Sequence, residues 1–427
     1  MKIAFKTFGC KANTTDTDAL FLEAQKRGFE IVTETEKADA YVINTCTVTE
    51  NADKDARQQA NRYKRTNPDS VVAMVGCYAQ VATDELLKLP QVDLVIGTAN
   101  KFRVLDHLKQ KIEKIDVEKN QVEKTMGFLP ENFPGSRNSR ATIKIQDGCN
   151  FKCTFCIIPD ARGRSRSLPI ETILKQVNQA WSEGFREVIL TGIHIAHYGW
   201  DHNTDLVKLV RTLLDEKEGP RIRLTSLDPF EIPHELIEML KTEPRLCPHF
   251  HIALQSGSDK ILSRMKRFYK AKEFVTVCNK IQETNPDTFI GVDVIVGFPG
   301  ETEEDFQETV ETLKTSFWSK LHVFSFSARK GTVAADLDNP VPAAEIAKRS
   351  ETLRLLSEER HRQFLKSQIG KEKEVVLERP SKKHPGFWLG HTENYLPTLS
   401  MLATAEAKTT HKMRLDKVSG DLIQTTC

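Results

Sequence analysis

A chain of 427 residues, 39% hydrophobic and 28% charged, reads as an ordinary soluble protein with ample core for about two to four domains. It has no apolar run of about eighteen residues, and Lys6 breaks the short apolar start, so neither a membrane span nor a signal peptide is expected; a cytoplasmic monomer without membrane contact is. The net charge of +2 neither demands nor excludes nucleic acid, and nine thinly spread cysteines argue against a disulfide framework and for metal ligation.

The chain opens with an apolar run, Ile3 to Phe8. A helical stretch from Asp16 to Arg27 follows, with Leu20 and Ala24 on one face and Gly28 as its stop. Further strand patterns at Ala40–Ile43, Val71–Val75 and Val92–Ile96 alternate with helical ones, which predicts a doubly wound parallel α/β domain over residues 1–115. Cys10, Cys46 and Cys77 each fall just past one of these strands. In a parallel sheet the C-terminal strand ends lie side by side, so the three thiols should converge on one crevice as a ligand set. Small buried cysteines are the bland alternative.

Residues 116–139 turn charged and then rich in Pro, Asn, Gly and Ser, which marks a linker. A strand at Ala141–Ile145 then leads into Cys149-Asn150-Phe151-Lys152-Cys153-Thr154-Phe155-Cys156. Three thiols crowded on one loop call for a cation, and no matching Cys or His pair follows to complete a zinc finger. An iron-sulfur cluster with three protein ligands leaves one iron open to a cofactor or substrate. Strand patterns near Glu187, Arg221, His251, Phe289 and His322, separated by helical ones, suggest a partial β/α barrel over 140–368, with the cysteine loop at a C-terminal strand end. The histidines at 194, 197, 202, 249 and 251 lack ligand spacing with an acidic partner and read as packing or substrate contacts. Arg264 to Lys272 reads as an exposed helix face, and Cys247, Cys278 and Cys427 as non-ligands.

The central triplet, with Phe155 just before its last cysteine, resembles the radical S-adenosylmethionine (SAM) superfamily. That resemblance implies a 4Fe-4S cluster on Cys149, Cys153 and Cys156 whose open iron chelates SAM and cleaves it to methionine and a 5'-deoxyadenosyl radical. Behind the triplet, Thr191 and Gly192, Ser226 and Asp228, Gln255 and Gly297 lie in segments that resemble the superfamily's SAM-contacting motifs, and Phe155 belongs with them. Gly9-Cys10-Lys11-Ala12-Asn13, Asn44-Thr45-Cys46-Thr47-Val48 and Gly76-Cys77-Tyr78 narrow the resemblance to the methylthiotransferases, whose N-terminal domain carries a second, auxiliary 4Fe-4S cluster. The family reading implies that this cluster holds the sulfur to be transferred, supplied by an external sulfur source, with an external electron donor.

Arg162, Arg164 and Arg166 follow the cluster loop and offer guanidinium forks for SAM carboxylate or RNA phosphate. Relatives often have Tyr where Asp160 stands. Beyond a long helical pattern from Ala343 to Gln368, residues 369–427 alternate as short strands and predict a small antiparallel barrel resembling the RNA-binding TRAM domain, with Trp388 and Tyr395 as candidate base-stacking aromatics. Gly-Cys-Lys-x-Asn at Cys10 and the run from Ile157 to Ser167 look most like the branch that acts on N6-threonylcarbamoyladenosine beside the tRNA anticodon. The alternatives are the N6-isopentenyladenosine branch, the branch that modifies an aspartate of a ribosomal protein, and a non-catalytic iron-sulfur RNA-binding or electron-transfer module.

Overall fold

In the computed structural model, which describes residues 1–123, 135–402 and 404–426, β1 (Lys2–Thr7) leads through Cys10 into α1 (Lys11–Lys26). Leu20 and Ala24 are buried one turn apart on that helix, and Gly28, at φ +78°, takes the left-handed position past its end. Then come β2 (Glu30–Ile31), β3 (Ala40–Thr45), α2 (Glu50–Thr66), β4 (Val71–Gly76), α3 (Cys77–Val81), α4 (Thr83–Leu87), β5 (Leu94–Ile96) and α5 (Val104–Ile112). The strands form one parallel sheet in the order β2-β1-β3-β4-β5. Successive side chains point to opposite faces, so both faces are apolar. Val42, Ala73 and Val75 pack with Leu20 of α1 and Leu105 of α5, whereas Tyr41, Ile43 and Met74 pack with Ala56, Ala60 and Tyr63 of α2.

Part of the expected linker is structured. Val95 of β5 donates to Lys119 O and accepts from Gln121 N, both at 2.9 Å, and Val117 is buried. Residues 124–134 of that linker lie outside the described residues.

After β6 (Ala141–Lys144), the short β7 (Gln146–Asp147) pairs antiparallel with β8 (Arg166–Ser167) and pinches the cysteine loop at its base, with α6 (Ile158–Arg162) inside that loop. The chain continues through α7 (Ile170–Ser182), β9 (Glu187–Thr191), α8 (Leu206–Asp215), β10 (Arg221–Leu224), α9 (His234–Thr242) and β11 (His249–Gln255). Then follow α10 (Asp259–Arg264), α11 (Ala271–Thr284), β12 (Phe289–Val296), α12 (Glu303–Thr315) and β13 (Lys320–Ser325). Strands β6, β9 and β10 form one parallel set and β11, β12 and β13 another, joined by isolated parallel bridges Ile222–Leu246 and Leu227–Ile252. Among the described residues no ladder joins β13 to β6, so the six strands make an open arc, a partial barrel.

Helix α13 (Ala343–Ser367) leads to β14 (Glu372–Pro380), β15 (Phe387–Thr392), β16 (Pro397–Met401), β17 (Thr410–Ser419) and β18 (Leu422–Thr426), which close in the order β14-β15-β16-β18-β17. A buried charge cluster fastens these strands to the arc. Glu187 accepts from Arg221 Nε at 2.7 Å and from Arg223 Nε at 2.6 Å, while Arg221 also donates to Glu374 O and His391 O. The surrounding arginines overcome burial and hold the Glu187 carboxyl well below the usual range. Glu187→Ala leaves buried guanidinium groups without their carboxylate. It is expected to cost about 3–5 kcal/mol, read as a lower urea midpoint.

The chain divides into two compact units whose bounds cut across the expected domains. The first is Met1–Ser136 with Gln146–Ser167 and Ser327–Ala335; the second is Arg137–Ile145, Leu168–Phe326 and Asp336–Cys427. Thus the central cysteine loop, expected with the arc, packs with the N-terminal sheet.

Candidate metal centre

The three N-terminal cysteines start from neighbouring strands. Cys10 follows β1 by three residues, Cys46 directly follows β3 and Cys77 directly follows β4, and β1, β3 and β4 are adjacent in the sheet. Their approach is close enough to require glycine: a Cβ on Gly9, at φ +95°, would stand 2.7 Å from Cys46 Sγ. Burial pushes the Cys46 thiol up to about 12, and the nearby Cys77 and Cys10 add to the shift. A buried thiol that resists ionising suits a cation that takes the place of its proton. The Cys46 sulfur already accepts a hydrogen bond from Val48 N at 3.5 Å.

The second set lies in the same compact unit. Cys156 N donates to Cys153 O at 3.0 Å, Phe151 N donates to Cys149 Sγ at 3.4 Å, and Cys149 N donates to Gly163 O at 3.0 Å, so the loop is held as a turn. Cys153 is buried, whereas Cys149, Cys156 and Phe155 are half-buried. Thiolate sulfurs that accept backbone N–H bonds are the donor type iron-sulfur clusters use, so both sets fit such a group.

Two arginines tie the sets together. Arg162 Nη1 donates to Asp147 Oδ1 at 2.9 Å and its Nη2 to Asn13 Oδ1. Arg329 donates to Thr47 Oγ1 at 2.6 Å and to Asp53, while Ala334 N donates to Thr154 O at 2.8 Å. The segment Ser327–Ala335 therefore grips both the residue after Cys46 and the residue after Cys153.

This geometry corrects the arginine reading. Arg162 is fully buried and internally bonded, so it presents no fork to RNA or SAM. Arg166 is half-buried on Asp147, at 3.3 Å, and Arg164 is exposed. Arg329, Asp53 and Asp147 escaped the sequence reading, which had Asn13 only as the last residue of the Gly-Cys-Lys-x-Asn motif. The one signal for Arg329 is an arginine closely following an apolar strand.

Phe155 lies with the cysteine loop in the first unit; in the second unit the other expected SAM-contacting residues follow successive C-terminal strand ends. Thr191 ends β9 and is buried with Thr225 Oγ1 at 3.3 Å, and Gly192 beside it is buried. Ser226 follows β10 at φ +54°, Gln255 ends β11 at φ +62°, and Gly297 follows β12 at φ +79°. Left-handed backbone at non-glycine residues is stored strain of the kind that gathers at binding sites. Asp228 is engaged by Arg267 and lies 3.4 Å from His194 Nε2, so its carboxylate is shared before any ribose arrives. Arg267 also overturns the exposed-helix reading: it lies in the loop between α10 and α11 with its side chain buried.

The histidines do find acidic partners. His194 and His197 both reach Glu231, the latter at 2.9 Å; burial alone would raise the Glu231 carboxyl, but these bonds bring it to about 2. His251 Nε2 lies 2.7 Å from Asp293 Oδ1, and His322 completes a group whose ligand atoms all lie within 4.8 Å. Both acids come from distant segments, which is why local spacing missed them. His202 stays beside Asp201, and His249 stacks on Phe289. Cys247 and Cys278 are buried, and burial pushes the Cys247 thiol to about 11; Cys427 lies outside the described residues. Tyr395 is not an open stacking platform: it packs on His249, with the guanidinium groups of Arg140 and Arg223 over its ring. Trp388 is half-buried against the Val375, Leu377 and Met413 core.

Residues 143–313 match the model of the Radical SAM superfamily, and residues 2–97 match that of the Uncharacterized protein family UPF0004. Over 384 residues the chain is 41% identical to the threonylcarbamoyladenosine tRNA methylthiotransferase MtaB of Aquifex aeolicus, covering 88% of this chain and 93% of that protein. It is 38% identical to the Bacillus subtilis protein of the same name, covering 92% and 89%. It is 33% identical to the tRNA-2-methylthio-N(6)-dimethylallyladenosine synthase of Bordetella avium, covering 92% and 85%. Among solved structures, the radical SAM methyltransferase TsrM of Kitasatospora setae superposes with a TM-score of 0.60 at 12% identity, covering 78% of this chain and 74% of that one, a likeness of fold.

Proposed function

We propose, since this chain belongs to the radical SAM tRNA methylthiotransferases, that its two thiol sets hold two clusters with separate tasks. The enzyme converts N6-threonylcarbamoyladenosine in tRNA to its 2-methylthio derivative, using SAM and iron-sulfur chemistry. Cys149, Cys153 and Cys156 hold the 4Fe-4S cluster that, when bound, binds SAM and supplies the electron for its cleavage to a 5'-deoxyadenosyl radical. Cys10, Cys46 and Cys77 hold an auxiliary cluster that carries the sulfur. An adenine C2 hydrogen is not acidic, so a radical from a cofactor, and no side-chain base, is the fitting reagent. The observation that carries the reading is the placement of both three-thiol sets, from stretches of chain separated by the 72 positions between Cys77 and Cys149, in one compact unit.

The chain's own residues do the rest. Gly9 lets β1 approach Cys46, the β7–β8 pair fixes the base of the central loop, and the strained ends at Ser226 and Gln255, with Gly297, orient backbone groups for SAM. The anticodon loop is the substrate element we assign, because an unpaired base can be splayed out of its stack. We assign tRNA backbone contacts to the C-terminal strands as a TRAM-type domain. On their outer face Arg414 stands opposite Glu372 and Lys412 opposite Glu374, so those cations are balanced. The exposed Lys382 and Lys383 at the β14–β15 turn lack such register partners and are the phosphate contacts we expect. K382Q/K383Q should weaken tRNA binding and lower its salt slope by about one to two, read by fluorescence anisotropy across a salt series. An affinity insensitive to salt would sink this assignment.

The reaction is tested by mass spectrometry of nucleosides from bulk tRNA of a strain lacking the gene. Loss of 2-methylthio-N6-threonylcarbamoyladenosine with accumulation of its precursor, restored by the wild-type gene, is the expected result. Unchanged tRNA would overturn it. Among the described residues no helix is long and apolar enough to cross a membrane. We assign the work to the cytoplasm, as a tRNA substrate suggests, and expect an external electron donor and sulfur source.

A further inference from the structure

Among the described residues three aromatic side chains are exposed, and all three stand toward one rim of the arc. Trp200 lies in the loop after β9, Phe268 in the loop between α10 and α11 that follows β11, and Phe324 is the last residue but one of β13. A single exposed ring needs no explanation, but three at the C-terminal strand ends, where the expected SAM contacts also lie, form a pattern.

Two of these rings are held outward by their neighbours. On one side of Phe268, the buried side chain of Arg267 pairs with Asp228. On the other, the buried Tyr269 stacks on Phe230 and sets its Oη 2.7 Å from Ala253 O and 2.6 Å from Leu254 O. Both flanking side chains are thus fastened at the ends of β10 and β11, and Phe268 is left 66% exposed. Trp200, 59% exposed, stacks on the buried His197 with ring centroids 3.7 Å apart, and His197 Nε2 lies 2.9 Å from Glu231 Oε1. The short segment from Asp228 to Glu231 therefore anchors both presentations.

The stretch around Phe268 is cationic. Arg264 to Lys272 holds five Lys and Arg and no Asp or Glu, and Lys266, Lys270 and Lys272 are exposed. Helix α10 closes with Lys266 N donating to Ser263 O at 3.0 Å and Arg267 N to Leu262 O at 2.9 Å, which puts Lys266 at φ +56°, a cap position that glycine fills at less cost. A ring on a fixed backbone beside solvated cations suits a partner that carries both π faces and phosphates, which is an unpaired nucleic-acid strand.

We propose that Trp200 and Phe268 are stacking platforms for unpaired bases of the tRNA anticodon loop next to the target adenosine, with the exposed lysines around Phe268 on the adjoining phosphates. This rests on the tRNA reading above and names the residues that hold the loop open at the arc. Every base has a π face, so such platforms accept different loop sequences, and a base held on a ring does not restack on the target.

The test titrates the cluster-loaded full chain against a fluorescein-labelled anticodon stem-loop RNA carrying N6-threonylcarbamoyladenosine, read by anisotropy. W200A and F268A are each expected to raise Kd at least about fivefold with the salt slope unchanged, because each removes a stacked base and no phosphate contact. F268W should bind close to wild type, whereas F268L, which keeps the apolar bulk without a π face, should behave as F268A. A 2-aminopurine placed beside the target adenosine should be quenched on binding wild type and less so on binding F268A or W200A. Wild-type affinity in both alanine variants, or in F268L, overturns the stacking role and leaves the tRNA reading standing. A wild-type protein that does not bind the stem-loop overturns that reading itself.

Discussion

Cys153→Ala is expected to abolish SAM cleavage while leaving the auxiliary cluster in place. Cys153 is the buried member of the central set, and its carbonyl accepts from Cys156 N at 3.0 Å, so the backbone turn survives loss of the sulfur. Two thiolates on a loop cannot hold a cluster that needs three protein ligands, and bound iron should fall by about half if each set holds one cluster. Formation of 5'-deoxyadenosine should drop by at least about a hundredfold, because altering even the outer partners of a metal site costs about ten- to a hundredfold. Chromatography of the SAM cleavage products and iron quantitation on the same preparation decide it. Undiminished 5'-deoxyadenosine would mean that the central loop is not the SAM-cleaving site.

Cys46→Ala is expected to do the reverse: SAM is still cleaved, but no methylthio group reaches tRNA. Cys46 is buried and directly follows the middle of the three adjacent strands β1, β3 and β4, so its removal takes out the centre of the set. The loss should be confined to that set, because Asn13 Nδ2 still donates to Thr45 O at 2.8 Å and Thr45 Oγ1 to Val75 O at 2.7 Å, and both bonds are independent of the sulfur. The measurement is 5'-deoxyadenosine and 2-methylthio nucleoside from the same incubation. Continued methylthiolation by Cys46→Ala would refute the auxiliary site. The two variants together separate radical formation from sulfur insertion, which neither can do alone.

The alternation of apolar runs and helical periodicity was enough to locate β1, β3, β4 and the helices between them, because period and burial are local properties of the chain. It also located three cysteines at strand ends, and parallel topology made those ends neighbours. The spacing of Cys149, Cys153 and Cys156 declared a metal loop for the same reason: all its information lies within eight residues. Charged side chains were read less well. Arg162 was read as a fork for SAM carboxylate or RNA phosphate and Arg267 as part of an exposed helix face, yet each is buried on a carboxylate, and Tyr395 was read as a base-stacking aromatic although two guanidinium groups cover it.

By itself, then, the sequence determined the element types, the two thiol sets and the chemistry those donors allow. Only the tertiary structure decided that the central loop packs with the N-terminal sheet, and which charges meet. Arg162 reaches Asn13 across 149 positions and Arg329 reaches Asp53 across 276. Periodicity reports which face of an element avoids water, but it does not say which of 59 acidic residues a buried guanidinium will find. That choice follows from desolvation: a buried charge stays only where the fold brings it a partner, and the partner comes from wherever the chain returns.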